Sequence, residues 1–142
     1  MGQDAKAAIG FGVEVHSDVY DSYGLVNDAK EALARRMGLE SASPYCERSE
    51  PEETLYQKFQ EQWEEIGIKA IEGGSYDYPD VVLVADETSH ATWWDGPGKM
   101  GMELDQPCVD EFKARLEKFL DLVEDPLEVD DDPQWYIVAF FG

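Results

Sequence analysis

At 142 residues and 43% hydrophobic residues, the chain can bury one core, yet its 32 acidic against 11 basic side chains give a formal net charge of −21 at pH 7. This charge repels phosphate backbones and anionic lipid headgroups, and therefore argues against direct binding to nucleic acid or to a membrane. It attracts a basic protein partner, unless the acidity reflects a salt-adapted proteome.

The predicted elements of the first half are one strand and two helices. After a flexible N-terminus of residues 1–8, apolar side chains alternate with glycine and polar residues over 9–16, the two-residue period of a strand. Helix-forming residues over 27–37 predict a first helix. An apolar stripe with four-residue spacing predicts a second helix over 49–66, with a capping box at its start.

The second half predicts three strands and one helix. Residues 68–72 and 81–86 have the composition of strands, and 88–101 are expected to form an irregular aromatic loop. A third helix begins near residue 107, with Asp105 as its N-cap, and the bulky β-prone run 135–141 predicts a last strand.

This order of elements defines the expected fold class. Four strands and three helices in the order β, α, α, β, β, α, β predict a single α+β domain over residues 9–142. We expect a mostly antiparallel or mixed sheet with the helices packed on one face.

Acidic residues crowd the C-terminal turns of two predicted helices, where the helix dipole disfavours them. No lysine or arginine follows Lys118, although the segment after it is strongly acidic. A negative surface presented to a basic site would account for this arrangement, and an ordinary solvated acidic face is the alternative. Two adjacent tryptophans could anchor the same interface or cap the core. The candidate partner-binding residues are Glu61, Glu64, Glu65, Asp121, Glu124, Asp125, Glu128, Asp130, Asp131, Asp132, Trp93 and Trp94.

A second group of residues has the chemistry of metal ligands. Glu14 and His16 alternate along the first strand and Asp18 keeps the same spacing just beyond it, so a strand continued to Asp18 would present one imidazole and two carboxylates on one side. Asp86 and His90, after a central strand, could complete such a site. Because carboxylates are abundant in this chain, a solvent-facing strand end with no ligand explains the pattern equally well.

Catalytic signatures do not stand out in the sequence. Cys46 and Cys108 lack metal-ligand spacing, and we expect them to be reduced thiols in a cytoplasmic protein. The N-terminal residues lack the apolar core of a signal peptide. With no nucleophile elbow and no phosphate-binding loop, the sequence predicts no catalytic residues and no cofactor, and it favours a protein that is not an enzyme.

The function predicted from these features is that of an acidic binding protein. It would block the basic, nucleic-acid-facing site of a partner protein, as an inhibitor, an immunity protein or a nucleic-acid mimic does, and a phage or defence system would suit it. One alternative is a small metal-dependent enzyme or metal-binding domain built on Glu14, His16 and Asp18. Another is a structural or assembly protein that associates with itself through its apolar last strand.

Overall fold

A computed structural model describes residues 5–16, 21–74, 79–94, 108–124 and 126–141. It forms one α+β domain with three helices and an open antiparallel sheet of five strands plus a two-residue sixth, which confirms the predicted fold class with more strands than expected. The elements are β1 (Ala5–His16), α1 (Ser22–Arg36), α2 (Glu50–Ile66), β2 (Ile68–Gly74), β3 (Pro79–Ala85), β4 (His90–Trp94), α3 (Val109–Leu122), β5 (Glu128–Val129) and β6 (Gln134–Phe141).

Strand β1 lies at the centre of the sheet and pairs with four other strands, all antiparallel to it. One edge of β1 pairs with β3 and then with β4, and β2 lies outside β3. A single turn of 3-10 helix, Asp86–Thr88, interrupts this edge between β3 and β4. The Thr88 hydroxyl accepts a hydrogen bond from Phe11 N at 3.0 Å and donates to Ala85 O at 2.7 Å, so the strand N–H at the interruption stays paired.

The other edge of β1 pairs with β6 and, beyond a second interruption, with β5. Val129 lies opposite Val15 and Gln134 lies opposite Gly12, so residues 130–133 bulge out of the ladder. At the start of this bulge the backbone N–H of Asp130 donates to Glu14 O at 3.2 Å. The bulge therefore holds Asp130 beside the end of β1.

The two faces of the sheet carry two hydrophobic clusters. The helices cover the face that contains Phe11, Val13 and Leu83, and Phe119 of α3 is fully buried there. The opposite face holds a smaller cluster of Ala8, Ile71, Val82, Val84 and Val138. On this side β2 and β6 approach each other although they do not pair, so the sheet curls. The approach is so close that a Cβ on Gly73 of β2 would collide with Val138 of β6.

Several element bounds differ from the prediction. Strand β1 begins at Ala5, so residues 5–8, expected to be flexible, pair with β4 and β6. Helix α1 begins at Ser22 because Asp21 acts as its N-cap, accepting a hydrogen bond from Gly24 N at 2.6 Å. The expected cap of α3, Asp105, lies outside the described residues, and Cys108 occupies the N-cap position of that helix.

Within the described part of the chain, none of the helices is both long enough and apolar enough to cross a bilayer.

Candidate functional site

Helix α2 carries the largest group of carboxylates of any described element. Six exposed glutamates lie on this helix, and the only basic residue on it is Lys58. None of the six forms an ion pair with another described residue. They are Glu50, Glu52, Glu53, Glu61, Glu64 and Glu65.

The spacing of these glutamates follows the helical period. At 3.6 residues per turn, all except Glu52 project within an arc of about 120°, opposite the apolar stripe of α2 that packs on the core. The buried side of α2 includes Tyr56, Phe59 and Ile66. We call the five carboxylates in this arc the α2 acidic face.

The predicted capping box at the start of α2 takes a different form. Ser49 is the N-cap residue, but its hydroxyl makes no capping bond to the helix backbone and instead donates to Glu52 Oε1 at 2.8 Å. Glu52 is thus tied to the start of the helix and away from the α2 acidic face.

The C-terminal turns of α2 are the part of the acidic face that opposes the helix dipole. Glu61, Glu64 and Glu65 lie there, the last turn contains no basic residue, and the helix ends at Gly67 in the left-handed conformation with φ 60°. These three carboxylates therefore interact unfavourably with the dipole of α2, and no base in its last turn offsets them.

The acids at the end of α3 are compensated by bases from α1, although no lysine or arginine follows Lys118 in the sequence. Arg36, in the last turn of α1, donates to Asp121 Oδ2 and to the Asp121 carbonyl, both at 2.8 Å. Arg35 lies 3.4 Å from Glu124. Two residues of the candidate partner-binding set thus have cationic partners of their own, supplied by a helix distant in sequence.

A groove, which we call the three-helix groove, brings Glu65 of α2 and Asp121 of α3 to one surface. It has a volume of about 490 Å³ and lies between the C-terminal halves of the three helices. Its floor is apolar and buried, and its rim carries charges of both signs. The floor is formed by Leu33, Ile66 and Leu122, and the rim includes Glu65, Lys118 and Asp121.

The remaining candidate residues lie elsewhere or are not described. Glu128 pairs with His16 at the edge of the sheet, and the exposed Asp131 and Asp132 lie in the bulge before β6. Asp125 lies outside the described residues. Glu128, Asp131 and Asp132 do not line the three-helix groove.

The tryptophan pair also differs from its prediction. Trp93 and Trp94 were expected in an irregular loop, but their backbone forms the end of β4, opposite Lys6 and Ala5 of β1. Their side chains are outside the described part of the structure.

A second candidate site lies at the end of β1. Glu14, His16 and Asp130 each offer one ligand atom, and these three atoms lie within 4.8 Å of one another; we call them the acid–histidine cluster. His16 Nε2 and Asp130 Oδ1 share a hydrogen bond of 2.8 Å. The strand pairing of β5 with β1 supplies Asp130, which the spacing along the sequence could not indicate as a partner of His16.

The other predicted metal ligands are not part of this cluster. Asp18 lies outside the described residues. His90 pairs with Ile9, seven residues along β1 from His16, a separation of about 23 Å at the usual rise of a strand. Asp86 precedes His90 on the same edge, so neither belongs to a site at His16.

The pKa values in the cluster reflect its hydrogen bonds. The hydrogen bond with Asp130 raises the pKa of His16 above its usual value, and the charges of the surrounding carboxylates act in the same direction. The same bond lowers the pKa of Asp130, helped by a second bond that Tyr136 Oη donates to Asp130 Oδ2 at 2.8 Å. Partial burial is the main reason that the pKa of Tyr136 is raised.

We expect an NMR titration of the His16 ring to give a midpoint above the usual histidine pKa, and Asp130→Asn to lower that midpoint. Because the folded-state pKa of His16 is raised, the stabilisation that His16 contributes is fully present below its unfolded pKa and is lost as pH rises through the folded one; the lowered pKa of Asp130 sets the acid limit, where its own contribution is lost as pH falls. Asp131→Asn is the matched control, since it removes the same charge from the same bulge without removing the hydrogen bond. Equal midpoints in the wild type and Asp130→Asn would contradict this assignment.

Comparison with known proteins gave no relatives. No protein-family model, no curated protein sequence and no solved structure matches the chain. The charge and geometry of the described residues are therefore the basis for assigning a function.

Proposed function

We propose that the protein is a non-enzymatic acidic binding protein that occupies the basic, nucleic-acid-facing site of a partner protein. An inhibitor, an immunity protein or a nucleic-acid mimic acts in this way. The observation that carries the proposal is the α2 acidic face, whose carboxylates are exposed and make no ion pair within the described part of the chain.

The charge density of α2 supports this proposal. From Glu50 to Glu65 the helix is about 23 Å long, so the five carboxylates of the α2 acidic face give one negative charge per about 4.5 Å of axis. One strand of B-DNA carries one charge per about 3.4 Å of axis. A site adapted to a phosphate backbone would therefore meet a similar linear density of charge on α2.

The three-helix groove supports the proposal in a second way. Stable interfaces combine a desolvated apolar centre with a polar rim, and charge alone gives mainly faster association. The apolar floor between Leu33, Ile66 and Leu122 lies beside Glu65. A partner side chain entering this groove would bury apolar surface while basic residues around it meet the α2 acidic face.

The test is affinity capture from a host lysate with the full chain as bait, at low and at moderate salt. We expect a basic, nucleic-acid-binding partner that added DNA or RNA displaces and that salt weakens. The variant Glu61→Gln/Glu64→Gln/Glu65→Gln should bind that partner at least about tenfold more weakly, which corresponds to about 1.4 kcal/mol.

A matched control separates the position of the charges from their number. Glu40→Gln/Asp80→Asn/Asp110→Asn also removes three exposed carboxylates, and none of these lies on α2 or lines the three-helix groove. We expect this control to keep most of the affinity. Equal losses in the two variants would reduce the interaction to net charge, and a partner that nucleic acid does not displace would refute the proposal.

A further inference from the structure

The acid–histidine cluster has the composition and spacing of a metal site with three protein ligands. It offers one imidazole nitrogen and two carboxylate oxygens, all within 4.8 Å of one another. With metal–ligand bonds of about 2.0–2.1 Å, neighbouring ligand atoms of a tetrahedral zinc site lie about 3.3 Å apart. Rotations of exposed or half-buried side chains can therefore bring Glu14, His16 and Asp130 around one ion.

The backbone of the cluster is already held in place. Glu14 and His16 alternate along β1 and point to the same side of the sheet. His16 pairs with Glu128 of β5, and the Asp130 N–H donates to the Glu14 carbonyl. Because β1 carries Glu14 and His16, and the backbone hydrogen bond to β1 holds Asp130 at the start of the bulge, little backbone order is lost when they bind an ion.

Asp130 also has the outer-shell contact that is typical of metal-binding carboxylates. Tyr136 Oη donates to Asp130 Oδ2 at 2.8 Å and accepts from Gln134 Nε2 at 3.1 Å. The other carboxylate oxygen of Asp130, Oδ1, faces His16 and lies 2.8 Å from its Nε2. Binding of an ion would displace the proton between His16 Nε2 and Asp130 Oδ1 to the solvent. The hydrogen bond from Tyr136 would keep the carboxylate oriented.

From this geometry we propose that Glu14, His16 and Asp130 bind a divalent ion of the first transition row, of which Zn²⁺ is the representative. The imidazole ligand favours such an ion over Mg²⁺, which prefers oxygen ligands and retains several waters. Two carboxylates balance the charge of the ion. This site goes beyond the proposed partner binding and shares no residue with α2, so either proposal can fail without the other.

The test is isothermal titration of the full chain with Zn²⁺ alone in a buffer that does not chelate it, with Mg²⁺ as the competitor. We expect one Zn²⁺ per chain, which equimolar Mg²⁺ does not displace. His16→Ala and Asp130→Asn should each weaken binding at least tenfold, and Tyr136→Phe about tenfold through the lost outer-shell contact. Circular dichroism of each variant checks that it is folded.

Two controls distinguish coordination from attraction by charge and from binding to thiols. Glu128→Gln removes one carboxylate beside His16 that is not in the cluster, and it should change the affinity less than threefold. Cys46→Ser/Cys108→Ser removes both exposed thiols and should leave binding intact. The proposal is overturned if Glu128→Gln weakens binding as much as Asp130→Asn, if the cysteine variant abolishes it, or if Zn²⁺ does not bind.

Discussion

Replacing Gly12 with alanine is expected to lower the free energy of unfolding by about 3 kcal/mol, the upper end of the usual cost of overpacking. A Cβ at this position would collide with the Leu83 carbonyl and would lie 2.7 Å from Val84 Cα. Both are backbone atoms of β3, the strand that pairs with β1 at this point. Since a backbone cannot rotate away as a side chain can, the central pair of strands has to separate.

Gly24→Ala is the matched control for this prediction. Its Cβ would meet only Asp21 Oδ1, at 2.9 Å, and that atom ends a side chain that can move, although a move weakens the N-cap hydrogen bond to Gly24 N. Alanine has the higher helix propensity, by up to about 1 kcal/mol, which offsets this loss, so we expect an effect near zero. Urea denaturation of both variants provides the comparison. If the two variants have the same stability, β1 and β3 do not approach each other as closely as described.

The elements with a strong sequence period were predicted well, and so were the paired strands β2 and β3, whereas β4 and β5 were missed. Helix α2 was expected over 49–66 and spans Glu50–Ile66, because one apolar stripe sets both its extent and its buried face. Strand β4 was missed because glycine and proline follow its tryptophans in the sequence. Its pairing partner, the first residues of β1, consists largely of alanine and has no alternating pattern that would indicate a strand.

In the candidate sites, too, residues within one element could be predicted from the sequence, and contacts between distant segments could not. The acids of α2 and the pair Glu14 and His16 are visible in sequence, since each set lies within one element. Arg36 and Asp121 are 85 residues apart, and His16 and Asp130 are 114 residues apart. Spacing along the chain cannot reveal such pairs, because they depend on how α1 packs near α3 and on the bulge that joins β5 to β6.

The final prediction concerns what the α2 acidic face costs the fold. Glu61→Gln/Glu64→Gln/Glu65→Gln is expected to raise the free energy of unfolding by about 1–2 kcal/mol at low salt. Each carboxylate near a helix C-terminus opposes the dipole by about 0.3–1 kcal/mol, and like charges three and four residues apart add about 0.2–0.5 kcal/mol per pair. Since these side chains are exposed, we take the lower part of the summed range.

The opposite end of the same helix provides the control. Glu50→Gln/Glu52→Gln/Glu53→Gln also removes three charges, but from the turn where the dipole favours them, so the free energy of unfolding should fall by about 1 kcal/mol. Urea denaturation should show opposite signs for the two variants at low ionic strength, and the difference should shrink in about 1 M salt. The same sign in both would mean that net repulsion, and not position on the helix, controls the effect. If the C-terminal variant gains stability and loses the partner, these glutamates sacrifice stability for binding, which a merely soluble acidic surface does not require.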